Sequence, residues 1–198
     1  MFVCRARLAG TPQRITENTD AIVINAGDGK HQHPTQAMLD LYTIRENFGH
    51  LDGLKVAIVG DLSHSRVAGS LAPALKTMGA EVTLVGPPTF QVDDPEWFGC
   101  PQTADLDEVI PEMDVVYMLR VQLERMEGAA IPSRREYNRL FGLDERRANL
   151  MKPEAIVCHP GPMNRGMEIN TEVADSARSR ILNQVNAGVL TRMAAMYL

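Results

Sequence analysis

Asn25-Ala-Gly-Asp-Gly-Lys-His-Gln-His33-Pro34-Thr35-Gln36, running on into Ala37-Met-Leu-Asp-Leu-Tyr-Thr-Ile44, decides how the rest of the chain is read. The run before it, Ala21-Ile-Val-Ile24, is apolar and β-branched and reads as a strand. After it, Ala37, Met38, Leu41, Ile44 and Phe48 recur at three- and four-residue steps, one face of a helix. Pro34 suits the first helical position, where a missing N–H costs nothing, and Gly49 marks the far end. Gly27-Asp28-Gly29 reads as the turn between strand and helix. His33 and Gln36 then share one turn at a helix N-terminus, where unpaired N–H groups and partial positive charge favour an anionic or oxyanion-bearing ligand. An imidazole and a primary amide, both read as donors, point at one place. His31 precedes the helix and reads as an ordinary histidine.

The same rhythm continues downstream. Lys55-Val-Ala-Ile-Val-Gly-Asp61 is nearly continuous apolar sequence, the mark of a strand covered on both faces. Arg66 to Met78 reads as a helix containing Pro73, where a kink or an early start is expected, and Glu81-Val-Thr-Leu-Val85 as the next strand. Leu106 to Ile110 reads as a short helix, Asp114 to Met118 as a strand, and Ser133–Leu140 and Asp144–Leu150 as helical pieces. Glu154 to Cys158 is the last core strand, and Ala177 to Tyr197 a long amphipathic helix with Ile181, Leu182, Val185, Val189, Met193 and Met196 at helical spacing. Upstream, Phe2-Val-Cys4 reads as a strand, Gly10-Thr-Pro12 as a turn and Ile15 to Asn18 as a short helix. Strand, helix, strand in this order gives an α/β fold, a doubly wound, mostly parallel sheet of about five strands with helices on both faces.

Composition narrows the class without naming a function. The chain has 198 residues, 44% hydrophobic and 23% charged, with a net charge of −5, an ordinary globular balance without the basic excess of a nucleic-acid or membrane-surface protein. No apolar stretch approaches the roughly 18–20 residues that cross a bilayer. Cys4, Cys100 and Cys158 are scattered, odd in number and without metal-ligand spacing, which fits a reducing cytoplasm.

In open α/β sheets ligands bind beyond the carboxyl ends of strands, so residues just after strands carry the functional signal. After Asp61 comes Ser63-His64-Ser65-Arg66, and basic charge at a helix N-terminus opposes the dipole, a hint that Arg66 serves a ligand. After Met118 comes Leu119-Arg120-Val121-Gln122, where alternation puts Arg120 and Gln122 on one side of an extended segment. Arginine holds carboxylates bidentately and glutamine adds a neutral donor. After Cys158 comes His159-Pro160-Gly161-Pro162, whose prolines lack N–H groups, so the loop offers mainly carbonyl oxygens, suited to an amide –NH2. No GxGxxG follows any strand, so a dinucleotide site has little support.

Taken in register across 21–198, NAGDG…HPTQ, GDLSHSR, MLRVQLER and HPGP with Arg165 beyond resemble the catalytic chains of the aspartate carbamoyltransferase family. The sister ornithine enzymes usually carry cysteine where Thr35 stands, so the resemblance leans to aspartate. It implies carbamoyl transfer from carbamoyl phosphate to L-aspartate, giving N-carbamoyl-L-aspartate and phosphate, a step of pyrimidine biosynthesis. It implies that His33 polarises the carbamoyl carbonyl, that Gln36 contacts the carbamoyl group, and that carbonyls around Gly161 and Pro162 accept from its NH2. Arg66 and Arg120, with Gln122 in support, would hold the carboxylates of aspartate. The chemistry calls for no metal or organic cofactor, and the family associates as trimers.

The resemblance also sets expectations about what is missing. The family's phosphate-binding Ser-Thr-Arg-Thr motif, a lysine loop that reaches a neighbouring subunit and a further phosphate-contacting arginine are expected to be absent, and residues 1–20 to match only loosely. The expected organisation is a remnant of a carbamoyl phosphate domain over 1–32, an inter-domain linker helix over 33–50, an aspartate-binding domain over 51–176 and a C-terminal helix over 177–198. Turnover is then expected to be impaired, with a separately supplied N-terminal domain as one partner. The alternative is a non-catalytic remnant that binds aspartate-like dicarboxylates or other proteins.

Overall fold

The fold is described from a computed structural model, which describes residues 1–93, 99–121 and 133–197. Five parallel strands form the main sheet: β3 (Lys55–Val59), β4 (Glu81–Val85), β5 (Gln102–Thr103), β6 (Val115–Met118) and β7 (Ile156–Cys158), in the order β5-β4-β3-β6-β7. Strands β1 (Phe2–Ala6) and β2 (Val23–Asp28) make a separate parallel pair. Side chains alternate across a strand, so β3 sends Val56 and Ile58 to one face and Ala57 and Val59 to the other. The first pair packs with Ile44, Leu71 and Leu75 from helices α2 (Pro34–Phe48) and α3 (Arg66–Thr77). The second packs with Leu106 of α4 (Leu106–Val109), Ile110, Val173 and Ile181. All four β3 residues are fully buried, as a two-faced parallel sheet requires.

The chain leaves β3 to one side for β4 and returns to its other side as β6. The sheet's switch point therefore lies between β3 and β6, and the loops carrying Arg66 and Arg120 open beside each other there.

Several expected boundaries moved, each for a local reason. Strand β2 starts at Val23 and continues through Asp28, because β1 keeps pairing with it from Phe2↔Val23 to Ala6↔Asp28; Gly27 is thus a strand residue rather than a turn residue. The stretch read as a turn at Gly10-Thr-Pro12 opens helix α1 (Thr11–Thr16), with Gly10 left-handed at φ 78° and the proline in the first turn. Helix α5 (Arg134–Phe141) packs through Tyr137 against Phe90, Val121 and Met167, α6 (Glu145–Ala148) and α7 (Thr171–Ala174) complete the far face, and Pro73 sits inside α3. The final helix, α8 (Ile181–Tyr197), begins at Ile181 rather than Ala177.

The expected apolar stripes are only partly inward. On α2 Ala37 and Ile44 are buried, but Met38 is 47% exposed and the inward face also carries Gln36, Asp40 and Thr43. On α8 Leu182, Val185, Val189, Met193 and Met196 face outward, while Gln184, Ala187 and Gly188 are buried. Small residues let the two helices approach closely: a Cβ on Gly188 would stand 3.3 Å from Leu39 Cδ2.

A second close approach seats the start of α2. In α3 a Cβ on Gly69 would lie 2.2 Å from the His31 carbonyl oxygen, and the next residue, Ser70, accepts the His33 N–H at 2.8 Å. Gly69→Ala must push α3 away from this segment, and overpacking of this kind costs about 1–3 kcal/mol. The expected result is a melting temperature several degrees lower; an unchanged one would show that the contact yields freely.

Candidate functional site

Asp28 builds the approach to the site. Its buried carboxylate accepts from the Gly10 and Gln32 backbone N–H groups at 2.8 and 3.0 Å and from Asn25 Nδ2 at 3.1 Å, with His31 Nδ1 at 3.0 Å. Burial raises its pKa, but the His31, Gly10, Asn25 and Gln32 hydrogen bonds together hold it below the usual carboxylate range. His31 thus has a structural partner. The loop so fixed delivers His33 to the N-cap of α2 and Gln36 to its first turn, with Gly49 left-handed at the far end, as Pro34 and Gly49 foretold.

A cleft of about 340 Å³ opens at this helix start. His33, Gln36, Arg66, Arg120, Gly161 and Pro162 all line it, drawn from the loops after β2, β3, β6 and β7. Gln122 lies outside the described residues. Arg5 and Arg192 also line the cleft, and sequence reasoning missed both. Arg5 sits near the carboxyl end of β1, the position the parallel-sheet rule singles out, so its placement was a readable signal. The expectation that no further phosphate-contacting arginine remains is therefore unsafe: an arginine from the first twenty residues stands in the cleft. Arg192, on α8, had no sequence signal beyond its charge. Arg165 pairs with Asp175 at 2.7–2.8 Å and does not line this cleft.

Among the described residues four arginines and no carboxylate line the cleft, a setting for a polyanionic ligand. Burial, reinforced by Arg66, Arg5 and Arg192, lowers the pKa of His33 to about 4, so its imidazole is neutral at pH 7. The Thr35 hydroxyl, which can donate or accept, stands 3.5 Å from Nδ1. Arg66 is placed through Gly27: at φ 115°, a Cβ there would lie 3.0 Å from the guanidinium carbon. Gly27→Ala is expected to displace that guanidinium and weaken anion binding; unchanged binding of an anionic ligand by the variant would show that Arg66 sits elsewhere when it works.

Gln36 is turned opposite to its sequence reading. Its Nε2 donates to Asp40 Oδ1 at 3.1 Å, so the carboxamide oxygen, an acceptor, remains for the cleft. The 159–162 loop matches expectation more closely. Its two N–H groups are consumed internally, His159 N–H by Gln184 Oε1 and Gly161 N–H by His159 Nδ1, each at 2.9 Å. With Nδ1 accepting, Nε2 carries the proton and donates to Glu168 at 3.2 Å. Carbonyl oxygens are what the loop has left to offer. Asn164 Nδ2 donates to the Val121 carbonyl at 3.1 Å and ties this loop to the segment bearing Arg120.

Comparison with known proteins agrees with this geometry. Residues 52–198 match the family model described as aspartate/ornithine carbamoyltransferase, Asp/Orn binding domain, and residues 1–46 match the carbamoyl-P binding domain of the same enzymes. The chain is 56% identical over 196 residues to the aspartate carbamoyltransferase catalytic subunit of Thermobifida fusca, covering 99% of this chain and 63% of that one. The Salinispora arenicola subunit is also 56% identical, over 199 residues, with 65% of its length covered. These alignments include the first twenty residues, which therefore match the family better than expected. The chain spans less than two thirds of the length of these curated relatives.

Among solved structures, aspartate transcarbamoylase from Trypanosoma cruzi in complex with N-(phosphonacetyl)-L-aspartic acid superposes with a TM-score of 0.85 at 30% identity, over 98% of this chain and 64% of that one. Ornithine carbamoyltransferase from Pyrococcus furiosus superposes at 0.88 with 26% identity, over 99% and 65%. Backbone shape is shared by both branches, whereas the high sequence identity lies with the aspartate branch. The chain belongs to the aspartate/ornithine carbamoyltransferase family.

Proposed function

We propose that this chain transfers the carbamoyl group of carbamoyl phosphate to the amine of L-aspartate, giving N-carbamoyl-L-aspartate and phosphate. The observation that carries the reading is the meeting, in one arginine-rich cleft, of a neutral imidazole, a carboxamide oxygen and a carbonyl-presenting loop. As the aspartate nitrogen attacks the carbamoyl carbon, negative charge grows on the carbonyl oxygen, where His33 donates. The carbamoyl –NH2 gives its hydrogens to the Gln36 oxygen and the Gly161 and Pro162 carbonyls. Arg66 and Arg120, with Gln122, hold the two carboxylates of aspartate, and Arg5 completes the cationic setting of the leaving phosphate.

Residues 1–32 would belong to the carbamoyl phosphate side, 33–50 link it to the aspartate-binding unit 51–176, and 177–198 close the chain. Among the described residues no helix is long and apolar enough to cross a membrane, and Cys4, Cys100 and Cys158 are free thiols, which supports a cytoplasmic setting. The outward apolar stripe of α8 supports association, as a homotrimer or with a separately supplied N-terminal domain.

The test is formation of N-carbamoyl-L-aspartate, with L-ornithine as the competing acceptor. Preference for ornithine would overturn the assignment, and aspartate binding without transfer would favour the binding-remnant alternative. Arg120→Ala is expected to weaken aspartate binding by about 2–3 kcal/mol, or some 30- to 150-fold, through loss of a charge-assisted contact. Equal aspartate affinity in the two proteins would remove Arg120 from the site.

A further inference from the structure

Behind the cleft wall lies a buried polar cluster that the reaction does not use directly. Asp40, fully buried on α2, receives three hydrogen bonds: from Gln36 Nε2 at 3.1 Å and Gln184 Nε2 at 2.7 Å on Oδ1, and from the Tyr117 hydroxyl at 2.7 Å on Oδ2. Tyr117 is itself fully buried on β6, and Gln184 is buried on α8. The orientation of Gln184 is not free. Its Oε1 accepts the His159 backbone N–H at 2.9 Å, and because that N–H can only donate, the amide nitrogen of Gln184 must face Asp40. An ionised Asp40 only accepts, so in that state Gln36 must likewise turn its nitrogen to Asp40 and its oxygen away.

We infer that Asp40 is a positioning residue which, gripped by Tyr117 and Gln184, fixes the Gln36 oxygen as an acceptor and sets it in register with the 159–162 carbonyls for one ligand –NH2. The inference rests on the carbamoyl-transfer reading above and deepens it: the cluster selects for a carbamoyl nitrogen as distinct from the rest of the ligand. Three elements meet at one carboxylate, α2 through Gln36, β6 through Tyr117 and α8 through Gln184, and Gln184 hands the constraint to the loop after β7. Without the carboxylate, Gln36 can rotate its amide by half a turn and offer N–H groups where N–H groups must be received. Burial raises the Asp40 pKa to about 7 against the pull of its three donors and Arg192, so the acceptor-only form prevails above that pH.

The test compares two ligands on the wild-type chain and on Asp40→Leu, a change of similar shape that removes both acceptor oxygens. N-carbamoyl-L-aspartate carries the –NH2; N-(phosphonacetyl)-L-aspartate has none. The variant is expected to lose about tenfold in affinity for the first, the equivalent of one charge-assisted hydrogen bond, and less than about threefold for the second. Equal losses would mean a merely structural role and no loss would mean no role; either overturns the inference. Binding of neither ligand by the wild type would instead remove the carbamoyl reading. The Gln36 and Gln184 side-chain amide 1H–15N signals then decide the positioning claim. Both moving toward the solvent-exposed range in Asp40→Leu upholds it, and both staying put refutes it.

Discussion

If the proposed reaction is right, replacing His33 with alanine will slow carbamoyl transfer by roughly a hundredfold to a thousandfold, the range found when one preorganised donor to a developing oxyanion is removed. The expectation follows from the state of the ring. A protonated imidazole among Arg5, Arg66 and Arg192 would add a further positive charge to an already cationic cleft, and burial makes that charge costlier still. The folded protein resolves this by keeping His33 neutral down to about pH 4. A neutral ring whose Nδ1 accepts from the Thr35 hydroxyl has its proton on Nε2 to donate, and it does so without needing to lose a proton first. The loss should therefore fall on kcat with both substrates saturating. A defect confined to KM would mean that His33 binds substrate without favouring the transition state. The wild-type rate should also show no fall between about pH 7 and pH 5.5 that disappears in the variant, because that range lies above the His33 titration.

How much of this was legible in the sequence depends on whether a property was local. Pro34 and Gly49 bracket α2 because their backbone preferences act within one residue, and both were read correctly. Strand β3 was plain because a strand buried on both faces needs an unbroken apolar run. Gly27 was misread as a turn residue for the opposite reason. Its strand is defined by pairing with β1, and its missing Cβ serves Arg66 almost forty residues away. The direction of Gln36 could not be read either, since nothing within its own helix says that Asp40 is also gripped by Tyr117 and by Gln184, 144 residues further on. An α-helical stripe shows which residues are apolar but not which neighbour is present, and on α8 most of that stripe points outward. Chemistry-bearing residues after strands were the reliable signal, and Arg5 was lost only because β1 was not treated as one of those strands.

The two perturbed buried groups of the site oppose each other in stability, and removing either will expose the other. His33 has its folded pKa lowered from 6.5 to about 4, so between those values the unfolded chain binds more protons and stability rises with pH, by up to ~3 kcal/mol. Asp40 has its folded pKa raised from 3.8 to about 7, so across nearly the same window the folded chain binds more protons and stability falls with pH, by up to ~4 kcal/mol. The paired carboxylates Asp28, Asp107, Asp114 and Asp175 have lowered pKa values and act below this window, where their contribution is lost on acidification. The wild-type unfolding free energy should thus be nearly level between about pH 4.5 and 6.5. In Asp40→Asn only the His33 contribution remains, and stability should climb with pH by ~2 kcal/mol over that interval, allowing for incomplete titration at its ends. In His33→Ala the slope should reverse and stability should fall as pH rises. Urea unfolding of the three proteins at pH 4.5, 5.5 and 6.5 reads both slopes directly. Parallel pH profiles for all three would show that neither group titrates in this range in the folded protein, and would return His33 to the possibility of a charged ring.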